Sequence, residues 1–592
     1  MILVLLIAAG LTCMYVGCDP VKPDNKNAAS TDRLPQDAKP TCTIAKDTFQ
    51  NWFVGGQISE NGFVQPANSV DFIHNNNCDF YKWSWQMFAW MTSPISGGGG
   101  GYGKGANNVL ESPVFYTVSA PDSNLQRFFI PHTPGEPLRV TVAPITQNGP
   151  HKLPMIRDKK GNLFEVVPEV KGIRPMLLAG NNKVIINSVE LDGAGKPVFK
   201  DQSGKPILNP KAIINFKGNT KKMVQEFITT QGKSVFLNGN GDVVETEVGQ
   251  ATHNALISKN GSLVYYITMV NDVYAYFLSA AKDGLISGSQ FPTTAQEAAS
   301  ICAIAKANGT NIPDCNALAI EVKTSWVEAS TVPDPQNYVT IDAFVPTYNK
   351  TDSIWIPNGE KKVKLALLGI HVVGSTGGHP EMVWATFEHD QNAPNAAYQY
   401  INNKGDTIVH PAETGGNWTL SSKPADPNPN VAHIKVPKNT NNLVPIGNFG
   451  MTASNTSMVF PWGSEMNVSP NPEDGSSAAS NTEVIAINNS VLGQFIGKDI
   501  RKNYMLVGAT WTSGGVAPNG LSYSSDQGQT TGDAIGTSLL ANTTMETYFQ
   551  TNSTTCFTCH SGGTPSLLPA DLSHVYDSLQ VLKNFKAVPV KK

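Results

Sequence analysis

Charged side chains are scarce in this chain of 592 residues, since Asp, Glu, Lys and Arg together make up 15% of it. The net charge is −4 and no stretch concentrates Lys and Arg, which argues against nucleic acid as a partner. After residue 17, no apolar run is long enough to span a bilayer. The sequence also lacks a nucleophile elbow, a Walker loop, a dinucleotide-binding fingerprint and a zinc-protease motif, so it indicates none of those enzyme classes.

Turn-forming residues are abundant by comparison, with 52 glycines and 40 prolines. Short segments rich in β-formers lie between the turns, a pattern that is typical of β-strands. A chain of this length is too long for a single compact core. The sequence therefore predicts a mainly β fold of the α+β class, with a large β-rich body, a few helices and a small helical segment at the C-terminus.

The first 17 residues form an uncharged apolar run that is long enough for a signal peptide and short for a membrane span. The run ends at Val16-Gly17-Cys18, which resembles a bacterial lipoprotein processing site. Tyr15 departs from that pattern, so ordinary signal cleavage is the alternative. Residues 18–41 are polar and proline-rich and suit a flexible linker. We expect an exported protein that is periplasmic or an outer-membrane or cell-surface lipoprotein, with Cys18 as the candidate lipidation site and membrane tether.

The cysteines fit an exported protein, because an even number in such a chain is typical of disulfides. Of the eight cysteines, two lie in the leader and two in a C-terminal motif. The remaining four are Cys42, Cys78, Cys302 and Cys315. Three pairings are open to them. The preferred one joins Cys42 to Cys78 and Cys302 to Cys315, and buried free thiols are the alternative.

Helical signals are few. Residues 79–91 repeat aromatic and Met side chains at helical spacing, which indicates a helix that either packs in the core or lines a cofactor pocket. A capping box at Thr294–Glu297 predicts a helix that runs to about residue 309. A second capping box at Thr543–Glu546 predicts a helix over 544–550. Residues 485–496 favour a further short helix.

The motif with the most specific chemistry is Cys556-Phe-Thr-Cys-His560. Two thiols three positions apart reach the two vinyl groups on one edge of a porphyrin, and the adjacent histidine supplies an axial imidazole. The sequence therefore predicts one covalently attached haem c, held by Cys556, Cys559 and His560. Covalent attachment retains the haem outside the cell, where lost haem is not easily replaced.

The two thiols have three other interpretations. A thioredoxin-like exchanger places its motif after the first strand, whereas only 32 residues follow His560 here. A zinc site needs a second pair of ligands, and His574 is the one downstream candidate. A plain disulfide across so tight a loop is strained. Haem attachment explains the motif and the leader together.

The distal position of the haem is left open by the sequence. Small electron carriers usually place a Met after the motif, but no Met follows His560. A lone Met or His is more often structural than a ligand. The iron is therefore five-coordinate or takes one of the following candidates: Met545, His371, His379, His389 or His574.

A second group of polar residues lies in 371–389 and comprises His371, His379, Glu381, Glu388 and His389. Two histidines and a carboxylate can hold a non-haem metal. The segments 364–373 and 382–389 are predicted strands, and in a hairpin His371 falls opposite about Trp384. His371 and His389 are then on opposite faces, which favours an ordinary hairpin over a surface that faces a metal or the haem.

Three short segments also carry a family resemblance: Phe80–Phe88, Trp384–His389 with Asn392 and Pro394 following, and Asn542–Tyr548 leading into Cys556–His560. The segments are short, but they are spread over most of the chain. In them the chain resembles a large group of bacterial exported mono-haem proteins of the cytochrome c family. The resemblance implies haem c and export, but no reaction, substrate or distal ligand. The positions that it carries over, without a role, are Trp83, Trp384, Glu388 and His389.

The expected regions are 1–17 (signal peptide or lipoprotein leader), 18–41 (flexible linker), 42–345 (β-rich N-terminal region), 346–534 (second β-rich region) and 535–592 (C-terminal c-type haem segment). The last region is too short to enclose a porphyrin alone. We therefore expect the β-rich body to supply the other wall of the haem site.

Two functions from different classes follow from this organisation. In the first, the haem transfers single electrons to or from an unidentified redox partner protein. In the second, the chain is a haem enzyme of the peroxidase or oxidase type that acts on an unidentified small molecule at an open iron position. The large body favours the enzyme, and the lack of a recognisable distal acid–base pair favours electron transfer. A surface binding module with a structural or sensory haem is a third hypothesis.

Overall fold

The structure is a computed structural model of the chain. It describes residues 33–95, 101–122, 124, 126–141, 155–157, 163–167, 175–180, 182–192, 196–214, 220–230, 234–244, 254–423, 426–437, 441–550, 555–561 and 568–587. The predicted signal peptide, most of the linker and Cys18 lie outside the described residues.

Helices within the described residues are α1 (Lys46–Trp52), α2 (Asn77–Met91), α3 (Asp272–Lys282), α4 (Ala295–Ala307), α5 (Ser477–Leu492) and α6 (Cys556–Ser561). The strands are β1 (Phe115–Val118), β2 (Phe129–Pro131), β3 (Leu138–Arg139), β4 (Met155–Arg157), β5 (Leu163–Val167), β6 (Met176–Ala179), β7 (Asn182–Leu191), β8 (Pro197–Asp201), β9 (Pro210–Ala212), β10 (Met223–Ile228), β11 (Ser234–Asn238), β12 (Val243–Val244), β13 (Asn254–Ala255), β14 (Tyr265–Asn271), β15 (Ile320–Glu328), β16 (Thr340–Lys350), β17 (Trp355–Thr376), β18 (His379–His389), β19 (Tyr398–Ile401), β20 (Thr407–His410), β21 (Ile434–Lys435), β22 (Val444–Pro445), β23 (Tyr504–Thr512) and β24 (Ala534–Gly536).

A ten-stranded sheet is the largest element of the fold. Its central strands β14, β15, β17, β18 and β23 are antiparallel neighbours in that order, and β2, β1 and β24 extend the two edges. The long strand β17 also pairs with β16, which pairs with β3. The mainly β fold class is therefore confirmed. Both expected regions, 42–345 and 346–534, contribute strands to this one sheet, and β16 runs across the boundary between them.

Smaller sheets form between residues 155 and 244. One has the strand order β12-β11-β10-β5-β4, and the other has the order β8-β7-β6-β9. Buried residues such as Leu177, Phe199 and Phe227 give these strands an apolar cluster of their own. Two short sheets, β13-β21-β22 and β19-β20, complete the described strands.

Helix α2 is the aromatic helix that the sequence predicts, and it packs into the core. The Asn76 side chain accepts a hydrogen bond from the backbone N–H of Asp79, which caps the helix start. The ring of Phe88 stacks on Phe387 of β18, with centroids 4.4 Å apart. Phe80 stacks on Trp511 of β23 at 4.0 Å. These contacts fix α2 against one face of the main sheet.

The two cysteine pairs expected in the body lie at disulfide distance. Cys42 and Cys78 have Cα atoms 5.4 Å apart, and Cys302 and Cys315 have Cα atoms 6.3 Å apart. The first pair ties the chain before α1 to the start of α2. The second pair ties α4 to the loop that leads into β15. These are the two pairings preferred from the sequence.

The C-terminal region is less helical than the sequence predicts. The helix expected over 544–550 is wrong, because these residues form consecutive turns. Threonine side chains here bond to the sheet instead of capping a helix, which diverts the chain. Helix α6 and a short 3-10 turn at Pro569–Leu572 are the helical pieces of this region within the described residues. No helix among the described residues is long and apolar enough to cross a membrane.

The stacked pair Phe88 and Phe387 provides a test of how α2 is held. Neither side chain is exposed to solvent. We expect Phe387→Ala to lower the free energy of unfolding by about 3–5 kcal/mol, because it removes the ring and leaves a cavity. Phe128→Ala is the control, since Phe128 is 44% exposed and should change stability by less than about 0.5 kcal/mol. Denaturant titration measures both, and equal losses would contradict this packing.

Candidate functional site

The described C-terminal residues 542–550, 555–561 and 568–579 lie across the face of the main sheet opposite to α2. Side chains at alternate positions of β15, β17 and β18 form this face, which we call the polar face. Its residues are Glu321, Lys323, Ser325, Gly369, His371, Val373, Trp384, Thr386 and Glu388. The carboxylates, the hydroxyls and the histidine contact the C-terminal residues, so the face is polar because it receives another segment of the chain.

Glu388 is the strongest anchor of the C-terminal segment on this face. Its carboxylate accepts hydrogen bonds from the backbone N–H of Thr543, at 2.6 Å, and from the Thr543 hydroxyl. The Asn542 side chain donates to the Thr386 hydroxyl at 3.0 Å. Burial raises the pKa of Glu388, and the hydrogen bonds from Thr543 act in the opposite direction. The motif position Glu388 is therefore a structural anchor.

A second anchor lies further along the segment, at Ser573. Its hydroxyl donates to the Glu321 carboxylate at 2.5 Å and also contacts the Tyr274 hydroxyl at 2.8 Å. Burial raises the pKa of Glu321 to about 7, while the bond to Ser573 lowers it. The two anchors hold the segment on either side of α6.

Between the anchors, His371 pairs with Glu546. The Nε2 atom of His371 lies 3.1 Å from Oε1 of Glu546, and both side chains are mostly buried. Burial acts to raise the pKa of Glu546, but His371 and the positive charge of Lys323 outweigh it and lower the pKa overall. The pair brings a partly buried imidazole and a carboxylate to the polar face.

Helix α6 carries the Cys-x-x-Cys-His motif and begins at Cys556. Phe557 is 1% exposed and packs edge-on against Trp384, with ring centroids 5.8 Å apart. The His560 ring lies 4.3 Å from Trp384 and stacks on His574 at 3.9 Å. Trp384, a motif position of the family resemblance, therefore packs beneath the motif.

The hydrogen bonding of His560 leaves one ring nitrogen for a metal. Its Nδ1 lies 2.7 Å from the carbonyl oxygen of Leu572, which can only accept, so Nδ1 donates. Nε2 then carries the lone pair. Burial and the neighbouring His574 lower the pKa of His560 well below its usual value, so the ring is neutral at pH 7. A neutral imidazole oriented by a carbonyl is the usual state of a metal-binding histidine.

Cys556 lies in an environment that disfavours its charged form. It packs against the apolar side chains of Met458, Val507 and Leu540. Burial, with a smaller contribution from Glu546, raises the pKa of its thiol to about 12. Zinc binding and disulfide exchange both need a thiolate, whereas a haem thioether is uncharged. The apolar wall around Cys556 fits an uncharged thioether.

The candidate distal ligands are dispersed over the fold. Met545 is 5% exposed in an apolar cluster with Tyr266 and Tyr548. His574 stacks on the face of His560, which is not the position across the iron from Nε2. His389 lies on the opposite face of the sheet, stacked 3.6 Å from Tyr338.

His371 is the distal candidate on the polar face, and it is one of the neighbours that lower the pKa of His560. The register pairs His371 with Thr386, two residues beyond the Trp384 expected from the sequence, because the hairpin contains an irregularity after Gly374. His379 lies at the other end of the hairpin and pairs with Glu381. The histidines of 371–389 therefore serve three separate places. Within the residues described, no group of three or more His, Cys, Asp or Glu is placed to hold a metal ion.

Several residues of the site carry no signal that sequence reasoning could use. Asn542 and Ser573 are ordinary loop residues until the fold brings them to Thr386 and Glu321. Glu546 has a local signal, but it indicated a helix cap and not a partner for His371. Of the residues at this site, only the motif Cys556–His560 could be recognised from the sequence, because its residues are neighbours in the chain.

The pairing of Glu546 with His371 predicts an acid-sensitive stability. Because the folded-state pKa of Glu546 lies below its ordinary value of 4.5, its charged form stabilises the fold above that pH. This contribution is lost as the pH falls through the folded-state pKa. We expect Glu546→Gln to lower the free energy of unfolding at pH 7 by about 1–3 kcal/mol and to flatten its decline below pH 4.5.

The control for this measurement is Glu360→Gln. Glu360 pairs with Arg139 on the surface, where both side chains are more than half exposed. Its loss should cost less than about 1 kcal/mol, since exposed ion pairs contribute little. Denaturant titrations between pH 3 and pH 7 compare the two variants, and parallel pH profiles for the wild type and Glu546→Gln contradict the pairing.

Comparison with known proteins gives the chain no family. No protein-family model matches it, and neither a curated protein nor a solved structure matches it at the significance required. The resemblance to exported mono-haem proteins therefore stays a prediction from the sequence.

Proposed function

We propose that this chain is an exported c-type cytochrome with one haem, attached through Cys556 and Cys559 and bound by His560, that transfers single electrons to or from a redox partner protein. The observation that carries the proposal is the hydrogen bond from His560 Nδ1 to the Leu572 carbonyl. This bond fixes the ring and directs the Nε2 lone pair to a metal, as second partners of metal-bound histidines do.

The surroundings of the motif support a haem that is shared between the C-terminal segment and the body. Trp384 belongs to the main sheet and contacts both Phe557 and His560 of α6. Anchors on Glu388 and Glu321 hold the segment in place. Rigid axial ligation reduces the rearrangement that accompanies a change of iron charge. When bound, the haem supplies the one-electron couple.

A route to the surface supports electron transfer. The ring of His574 stacks on His560 and is itself exposed to solvent. A partner docked at His574 therefore comes within a few ångströms of the proximal ligand. Cys42 with Cys78, and Cys302 with Cys315, lie at disulfide distance, which supports an oxidising compartment outside the cytoplasm.

The pair His371 and Glu546 favours a second candidate, a haem enzyme of the peroxidase or oxidase type. A partly buried histidine held by a carboxylate can take and return a proton at its side chain. This acid–base pair is the element whose apparent lack in the sequence argued against an enzyme. With an open iron position, haem would supply the redox chemistry while His371 handles the proton.

The first test is haem attachment. We expect the wild-type chain, produced with a c-type maturation system, to retain haem on a denaturing gel, and Cys556→Ser/Cys559→Ser to lose it completely. The loss follows because thioether bonds alone survive denaturation. His433→Ala, a surface change remote from the motif, is the control and should stain like the wild type. A wild-type chain without covalent haem disproves the proposal.

The second test separates the two functions. For an electron carrier we expect a low-spin reduced spectrum that carbon monoxide leaves unchanged. His371→Ala should then open the iron, giving a high-spin spectrum that shifts with carbon monoxide, if His371 is the sixth ligand. His410→Ala serves as the control.

For an enzyme the wild type itself binds carbon monoxide and turns over peroxide. His371→Ala then lowers that turnover by about 10²–10⁴-fold, the usual contribution of a general acid–base group. If the wild type has an open iron position and turns over peroxide, the electron-transfer proposal is wrong and the enzyme hypothesis takes its place. A low-spin wild type that His371→Ala leaves unchanged assigns the sixth ligand to another residue.

A further inference from the structure

A second arrangement of histidines and a carboxylate lies at the turn of the β17–β18 hairpin, away from the motif. It consists of His379 and Glu381 of β18 and His74, which precedes α2. Glu381 is fully buried, His379 is 6% exposed, and His74 is partly exposed. The three side chains therefore form a row from Glu381 in the interior to His74 at the surface.

The hydrogen bonds fix the proton positions on both rings. Nδ1 of His74 lies 3.3 Å from the carbonyl oxygen of Phe72, which can only accept, so this Nδ1 donates. Nδ1 of His379 lies 2.8 Å from Oε1 of Glu381. That oxygen already accepts from the backbone N–H of Thr512 at 3.2 Å, so this Nδ1 also donates. With Nδ1 as the donor, Nε2 is the nitrogen of each ring that can offer a lone pair to a metal.

The two Nε2 atoms face each other. They lie 3.3 Å apart, whereas the ring centroids lie 4.8 Å apart, so the Nε2 edges of the rings converge. Two lone pairs at this separation repel unless a cation lies between them. Two imidazole nitrogens on one tetrahedral zinc ion, at 2.0–2.1 Å from the metal, lie about 3.3–3.4 Å apart. The observed spacing is that of two ligands on one metal ion.

We propose that His74 and His379 bind one divalent transition-metal ion, with zinc as the favoured ion, through their Nε2 atoms. Imidazole nitrogens suit zinc and its neighbours in the first transition series. Glu381 accepts the other ring N–H of His379, the partner that commonly orients a zinc-bound histidine. The remaining coordination positions face the surface beside His74 and take water or an external ligand.

The charges around the pair favour a cation. The carboxylates of Glu381 and Asp79 both interact electrostatically with His74. Oε2 of Glu381 is buried and has no hydrogen-bond partner among the described residues, whereas Oε1 contacts Nδ1 of His379 and accepts from the N–H and the hydroxyl of Thr512. Phe72 stacks on His74 at 5.3 Å, and Phe80 packs edge-on against His379 at 5.1 Å. These rings shield one side of the pair from water and hold both imidazoles in position.

The site is independent of the proposed haem and can be tested on the full chain. Alkylation of the free thiols first removes them as competing zinc ligands. Isothermal titration with Zn²⁺ at pH 7.5 should then show one site in the wild type. We expect Glu381→Gln to weaken the affinity roughly 10–100-fold, and His74→Ala to weaken it by more than that, because a direct ligand is removed.

His433→Ala is the matched control, since His433 is a partly exposed histidine outside the arrangement that also contacts a Phe ring. It should bind zinc like the wild type. His74 is partly exposed, so its replacement should leave the melting temperature unchanged, and a thermal melt verifies this. Equal zinc affinity in the wild type and in His74→Ala overturns the proposal. A wild type that binds no zinc also overturns the proposal. A proton shared by the two rings then explains their spacing.

Discussion

Burial of the Glu388 carboxylate under Thr543 is the contact on which the C-terminal architecture depends. A charged group that is 5% exposed is costly unless donors surround it. Asn392, four residues further along, donates one hydrogen bond to Glu388, and Thr543, more than 150 residues away, donates two. The main sheet and the C-terminal segment consequently need each other. Without the segment the Glu388 carboxylate would lose both hydrogen bonds from Thr543 and keep the one from Asn392, and without the sheet Asn542 and Ser573 would lose their bonds to Thr386 and Glu321.

The short motif depends on the large body because the C-terminal segment packs and forms its hydrogen bonds on the main sheet. Helix α6 is six residues long and has little apolar surface of its own beyond Phe557. Trp384 supplies the surface against which it packs, and α2 on the far side of the sheet holds the strands that carry Trp384. Both faces of one sheet are thus occupied, one by an aromatic helix and the other by a polar segment.

Local chemistry determined what could be predicted from the sequence. The capping box at Thr294 and the strands at 364–373 and 382–389 depend on neighbouring residues, and the structure contains all of them. Helix α5 begins eight residues before the predicted helix because its first turns are Ser-Ala-Ala-Ser-Asn, a polar run without a periodic signal. The pairing of His74 with His379 joins residues 305 positions apart, so no window of sequence contains it.

The deep packing of α6 imposes an order on the biogenesis of the protein. Phe557 is enclosed, and Cys556 lies against an apolar wall, so another protein can reach these two residues only before the segment docks on the sheet. If the chain carries a haem at Cys556 and Cys559 as we propose, attachment of that haem therefore has to precede the docking of α6 on the sheet.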